Sequence, residues 1–199
     1  MQTGELEKWV INLKKMTYII GGKINNRAFI LVDKVINDDP EQSTNKLYNS
    51  ITDKNIYISL TGDGNIMEFV KMYDKKLKYS NQKLKINDDF INHITTKLEN
   101  NVSRGQKISK RTSLYVIDNN EFLRVDCNFK SNKFIDYKKK TFNNDEFITC
   151  SALEKKPLNI EVHNIENFCK FYIKKLFETI CSEYSYDEYF KNGFDYIEQ

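Results

Sequence analysis

The sequence predicts an α+β protein in which strands pair as hairpins and helices are inserted between the pairs. Three observations carry this. Short runs rich in β-branched and aromatic residues flank polar turns at Asn25-Asn26, Thr52-Asp53 and Asp118-Asn119-Asn120. Two successive segments between Ile66 and Leu98 repeat apolar residues at spacings of three and four. A further segment of that kind begins at Ile165. With no internal repeat and no Pro/Gly-rich linker, residues 17–199 read as one domain, preceded by residues 1–16 as an extension.

Along the chain, Trp9, Val10 and Leu13 give Gly4 to Lys15 a short amphipathic pattern. Thr17 to Lys23 and Ala28 to Val32 form a first hairpin, and Asp38 to Asn45 a loop. Lys46 to Ile51 and Asn55 to Thr61 form a second, running into Gly62-Asp63-Gly64 with Asp63 as an N-cap candidate. Ile66, Phe69, Val70, Tyr73 and Leu77 define a helix; Phe90, Ile91, Ile94 and Leu98 define the next. After a basic loop from Asn100 to Arg111, Thr112 to Ile117 and Phe122 to Phe129 make a third hairpin. Phe147 to Ser151 is a strand, and Ile165 to Cys181 a helix with Phe168, Tyr172, Leu176 and Ile180 inward. The tail from Tyr184 to Ile197 ends in a strand. Two sheets face to face with helices outside would bury all of these faces, but the pattern alone leaves other α+β arrangements open.

Composition narrows the function classes. The 199 residues are 40% hydrophobic and 30% charged, with 31 basic and 28 acidic residues. That balance gives no basic footprint for nucleic acid, and Lys138-Lys139-Lys140 reads as a solvated loop. Without a membrane-length apolar run or a signal-type N-terminus, a cytoplasmic protein with no membrane contact is expected. Cys127, Cys150, Cys169 and Cys181 form no CxxC pair and read as free thiols. His93 and His163 lack a second His at metal spacing, so neither a metal nor a cofactor is expected; His163 beside Asn164 reads as a loop or helix-start residue.

One ordered set of residues carries more. Thr17-Tyr18-Ile19-Ile20-Gly21 opens a hairpin whose second strand, Phe29-Ile30-Leu31-Val32-Asp33, ends in an aspartate sixteen residues after Thr17. Lys46 starts the next strand, Thr61-Gly62 closes the one after it, and Thr149-Cys150-Ser151 ends a later strand. This set resembles the proteasome β subunits and the bacterial peptidase at the core of a two-component ATP-dependent protease. The resemblance spans about Thr17 to Cys181 and is strongest from Thr17 to Leu77.

The resemblance implies a four-layer αββα sandwich of the N-terminal-nucleophile hydrolase type and a threonine peptidase. It implies Thr17 as nucleophile with its own α-amine as base, Asp33 and Lys46 as the charge pair, the Gly62 N–H as oxyanion donor and Ser151 as support. It implies a peptide substrate and a ring-like homo-oligomer, and it allows an ATPase unfoldase as partner. An α-amine titrates at about 7.7–8.0, which suits a base near neutrality. Residues 1–16 must leave before that amine is free. The family's usual Gly before the threonine is Met16 here, and its Gly/Ser motif is Cys150-Ser151-Ala152. The alternative is therefore a non-catalytic family subunit that keeps residues 1–16. Ser182, Ser185 and Asp187 are candidates for the family's late Asp and Ser.

Overall fold

The turn residues explain most of the backbone. A computed structural model describes residues 17–36, 39–62, 65–102, 111–149, 152–156, 161–180 and 184–199. The expected helix at Gly4 to Lys15, the Asp63 N-cap, the body of the basic loop, Cys150, Ser151, Cys181 and Ser182 lie outside the described residues. The chain divides into two compact units, one formed by the segment up to Lys46 together with Phe142–Gln199, the other by Leu47–Thr141. Both are α+β, each built on an antiparallel five-stranded sheet.

In the first unit, β1 (Ile19–Ile24) and β2 (Arg27–Asp33) form the expected hairpin. Asn25 and Asn26 take φ of 52° and 59°, the left-handed pair that a two-residue turn of this twist requires. A short ribbon of β3 (Val35–Ile36) and β4 (Asp39–Ser43) replaces the loop expected from Asp38 onward. Later strands β10 (Glu146–Thr149), β11 (Ala152–Lys155) and β12 (Phe194–Glu198) complete the sheet in the order β11-β10-β1-β2-β12. Helix α3 (Ile165–Ile180) and the short α4 (Tyr186–Tyr189) supply its apolar cover. Tyr18, Ile20, Phe29, Leu31 and Phe147 pack there against Phe168, Cys169, Ile173 and Phe177. The most buried stripe of α3 is thus Ile165-Cys169-Ile173-Phe177, with Tyr172 and Leu176 only partly buried. Sequence spacing allows both stripes, and packing against the sheet selects one.

Gly22 is needed by this sheet for space. A Cβ there would stand 2.5 Å from the Cα of Phe147 and nearer still to the Glu146 carbonyl oxygen. The Phe147 Cβ stands equally near, and none of these atoms is the far end of a flexible side chain, so β10 would have to move. Gly22→Ala is expected to cost about 1–3 kcal/mol by overpacking, read as a lower urea midpoint.

In the second unit the sheet runs β5 (Tyr48–Asn49), β6 (Ile56–Thr61), β7 (Arg111–Asp118), β8 (Glu121–Lys130), β9 (Lys133–Thr141). Its cover is α1 (Asn65–Tyr79) and α2 (Asp88–Val102), through Ile66, Phe69, Val70, Phe90, Ile91, Ile94 and Leu98. Lys138-Lys139-Lys140 lies in β9, so the expected solvated loop is an exposed strand at the sheet edge. Lysines on an edge discourage pairing with another chain. The β8–β9 turn again uses two left-handed residues, Ser131 and Asn132, with φ of 51° and 63°.

Asp74, fully buried on α1, ties this helix to the β5–β6 loop. It accepts from Tyr48 Oη at 2.7 Å, from the Ile51 N–H at 2.7 Å and from the Thr52 hydroxyl. Burial pushes its carboxyl up, but the donors Thr52, Tyr48, Ile51 and Ser50 outweigh this and hold it below the ordinary value. A depressed carboxyl contributes stability that is present above its unfolded value of 3.8 and lost as pH falls through the folded one. Asp74→Asn should therefore cost about 1.5–3 kcal/mol at neutral pH, from lost hydrogen bonds to a charged group. Urea unfolding of the variant and parent should converge as the pH is taken below the carboxylate range.

Candidate active site

The site grows out of the first hairpin. β1 and β2 pair in register from Ile19 opposite Val32 to Ile24 opposite Arg27, and the Asp33 N–H donates to the Tyr18 carbonyl at 2.9 Å. Tyr18 is anchored by its ring, whose centroid lies 5.8 Å from that of Phe177 and 5.3 Å from that of Phe190. Thr17 immediately precedes this anchor and is half-buried.

Asp33 is almost wholly buried, at 1% exposure, and both its oxygens are engaged. Oδ2 accepts the Tyr18 N–H at 2.6 Å. Oδ1 accepts the Val35 N–H at 2.8 Å and the Lys46 ammonium at 2.8 Å. The carboxylate therefore ties the main chain just after Thr17 to the Lys46 cation. Burial pushes the Asp33 carboxyl above its ordinary value, against the opposing pull of Lys46 and the two N–H donors.

Thr17, Asp33 and Lys46 all belong to the first unit, and Asp33 joins Lys46 to the main chain at Tyr18, the residue after Thr17. Gly62 belongs to the second unit, where it follows β6, is exposed and takes φ of 109°, a conformation open to glycine. Ser151 lies outside the described residues. Of the late candidates, Ser185 caps α4, with its Oγ 2.6 Å from Glu188 Oε2, and Asp187 is exposed. Neither is among the partners of Asp33 or Lys46 given above.

Besides Asp33, a second and late acidic residue reaches Lys46: Asp195 on β12, which pairs opposite Val32. Its Oδ2 accepts the Lys46 N–H at 2.6 Å, and its Oδ1 lies 3.3 Å from the Lys34 ammonium. The sequence signal for it is weak: an acidic residue two positions after Gly193, whose φ of 72° opens the last strand. No protein-family model matches the chain, and no curated protein matches it.

The arrangement can hold a cation in a largely desolvated position beside the start of β1. The Lys46 side chain is only 17% exposed and that of Asp33 2%.

Proposed function

We propose that this protein is a threonine peptidase of the proteasome type, hydrolysing peptide bonds with Thr17 once residues 1–16 have been removed. One observation carries the reading: the buried Asp33 carboxylate binds both the Tyr18 N–H next to Thr17 and the Lys46 ammonium. A turn aspartate would need neither partner. Two helix-covered antiparallel sheets support the finer fold reading, a four-layer αββα sandwich of the N-terminal-nucleophile hydrolase type.

In this reading the Thr17 hydroxyl attacks the scissile carbonyl carbon while its α-amine takes the hydroxyl proton. The tetrahedral oxyanion is stabilised by backbone N–H donors; losing such a donor costs about 10²–10³ in rate. The ammonium then returns the proton to the leaving amine, and an ester at Thr17 remains. Water, deprotonated by the same amine, hydrolyses the ester and regenerates the hydroxyl. Lys46 lowers the amine's pKa, and Asp33 keeps Lys46 in place. The reading extends to ring-like self-assembly, a peptide substrate and an ATP-driven unfoldase as partner.

The test is covalent labelling. A Thr-directed electrophile should add one equivalent to chain starting at residue 17 and map to Thr17, with hydrolysis of fluorogenic peptides lost in parallel. A chain with Thr17 at its N-terminus that neither labels nor hydrolyses any peptide of a broad library would sink the peptidase and leave a non-catalytic subunit.

A further inference from the structure

The segment between Asp33 and Lys46 is gripped from outside by the C-terminal residues. This segment is the β3–β4 ribbon, closed at its base by the Thr44 N–H donating to the Lys34 carbonyl at 2.9 Å. Asp195 engages both stem residues, the Lys34 ammonium through Oδ1 and the Lys46 N–H through Oδ2. Further along the ribbon, Asn192 Nδ2 donates to the Pro40 carbonyl at 2.8 Å, and Lys191 pairs with Glu41. Three residues within a five-residue stretch just before and inside β12 thus contribute contacts at two levels of the ribbon.

We propose that Asp195 is a positioning residue for the site, acting with Asn192 as a clamp that fixes the backbone at Lys46 so that its ammonium rests on Asp33. The geometry is demanding. Lysine has a long flexible side chain with substantial rotamer entropy, so holding its ammonium on one carboxylate oxygen requires a fixed backbone origin. The Lys46 N–H lies just before β5, where no ladder bond from the second unit's sheet fixes it. The Asp195 carboxylate supplies that anchor, with a short bond from a charged acceptor that is only 13% exposed. Asp33 pairs with the Lys46 ammonium and Asp195 with the Lys34 ammonium, and Asp195 reaches Lys46 through its main chain. Removing Asp195 leaves two cations and one carboxylate, and both lysines are then drawn toward water. Because the anchor lies on β12, the charge pair is complete only after the last strand has docked beside β2.

The clamp stands on geometry alone; its effect on catalysis rests on the threonine-peptidase reading. The experiment separates them. The carboxyl of Asp33 is titrated by carbon NMR in the full chain for the parent, Asp195→Ala and Asp195→Asn. Loss of the nearby cation should raise the Asp33 pKa in Asp195→Ala. Asn keeps an oxygen acceptor for the Lys46 N–H but not the charge, and should bring the Asp33 titration closer to the parent's than Ala does. A merely structural role would lower stability in both variants without moving Asp33. If Asp195→Ala does not fold, Asp195→Ser is used, together with acylation of Lys46 under native conditions, which should speed up as the ion pair opens. An Asp33 titration and Lys46 reactivity identical to the parent in the folded Ala or Ser variant would overturn the clamp. Where peptide hydrolysis is present, kcat should fall about 10²-fold in Asp195→Ala, the scale of a small misplacement of catalytic groups. An unchanged kcat with a shifted Asp33 would overturn the catalytic role of the charge pair and leave the clamp standing.

Discussion

Asp33→Ala is expected to lower folding stability by about 3–5 kcal/mol, the scale for breaking a buried ion pair by removing one partner. Three donors lose their acceptor at once: the Tyr18 N–H, the Val35 N–H and the Lys46 ammonium. The side chain of Lys46 is mostly covered, so its charge cannot simply return to water. Asp33→Asn keeps one oxygen acceptor and should cost clearly less. The pH dependence has a definite sign. The carboxyl is raised by burial above its unfolded value of 3.8, so folding takes up a proton in the window above that value. The group's contribution is then largest at acid pH and falls as pH rises through the folded pKa. Lys46→Met removes the opposing cation and should steepen this fall, so that the variant loses more stability at neutral than at acid pH. Urea midpoints of the parent and both variants across the carboxylate range check this; a Lys46→Met penalty that is equal at all pH values would contradict it. Asp74 provides the internal contrast, because its depressed carboxyl loses its contribution as pH falls.

Thr17→Ala is expected to reduce peptide hydrolysis by about 10⁴-fold or more, the scale for losing a nucleophile that works with its base as a unit. Stability should barely change, since Thr17 is half-buried and precedes β1. Thr17→Ser keeps the hydroxyl and the α-amine and should retain measurable rate. The comparison uses chain whose first residue is 17, with the urea midpoint measured beside the rate. Equal hydrolysis by Thr17→Ala and the parent would place any activity at another residue.

Local chemistry decides which features could be read in advance. The β1–β2 and β7–β8 hairpins were legible because short apolar runs flank Asn-Asn turns whose backbone favours φ above zero. Strand β9 was not, because Lys133 to Thr141 carries Lys138-Lys139-Lys140 and few apolar residues; its pairing with β8 rests on a two-residue turn and backbone bonds that no side-chain pattern records. The β3–β4 ribbon was missed because Pro40 and a run of polar residues read as loop, while its grip comes from Lys191 and Asn192, far along the chain. The Asp33–Lys46 pair, 13 residues apart, was legible only through the resemblance, since Lys46 is one lysine among many. Asp195 was not, since its bond to Lys46 spans 149 residues and nothing local marks it.

The most direct measurement is the intact mass of the protein isolated from its native host, read together with its N-terminal residue. The account predicts a chain that begins at Thr17, with a free amine there that a Thr-directed electrophile modifies. A chain that keeps residues 1–16 and never reacts at Thr17 would contradict it, and the protein would then be a non-catalytic subunit in which Asp33 and Lys46 serve only to hold the fold.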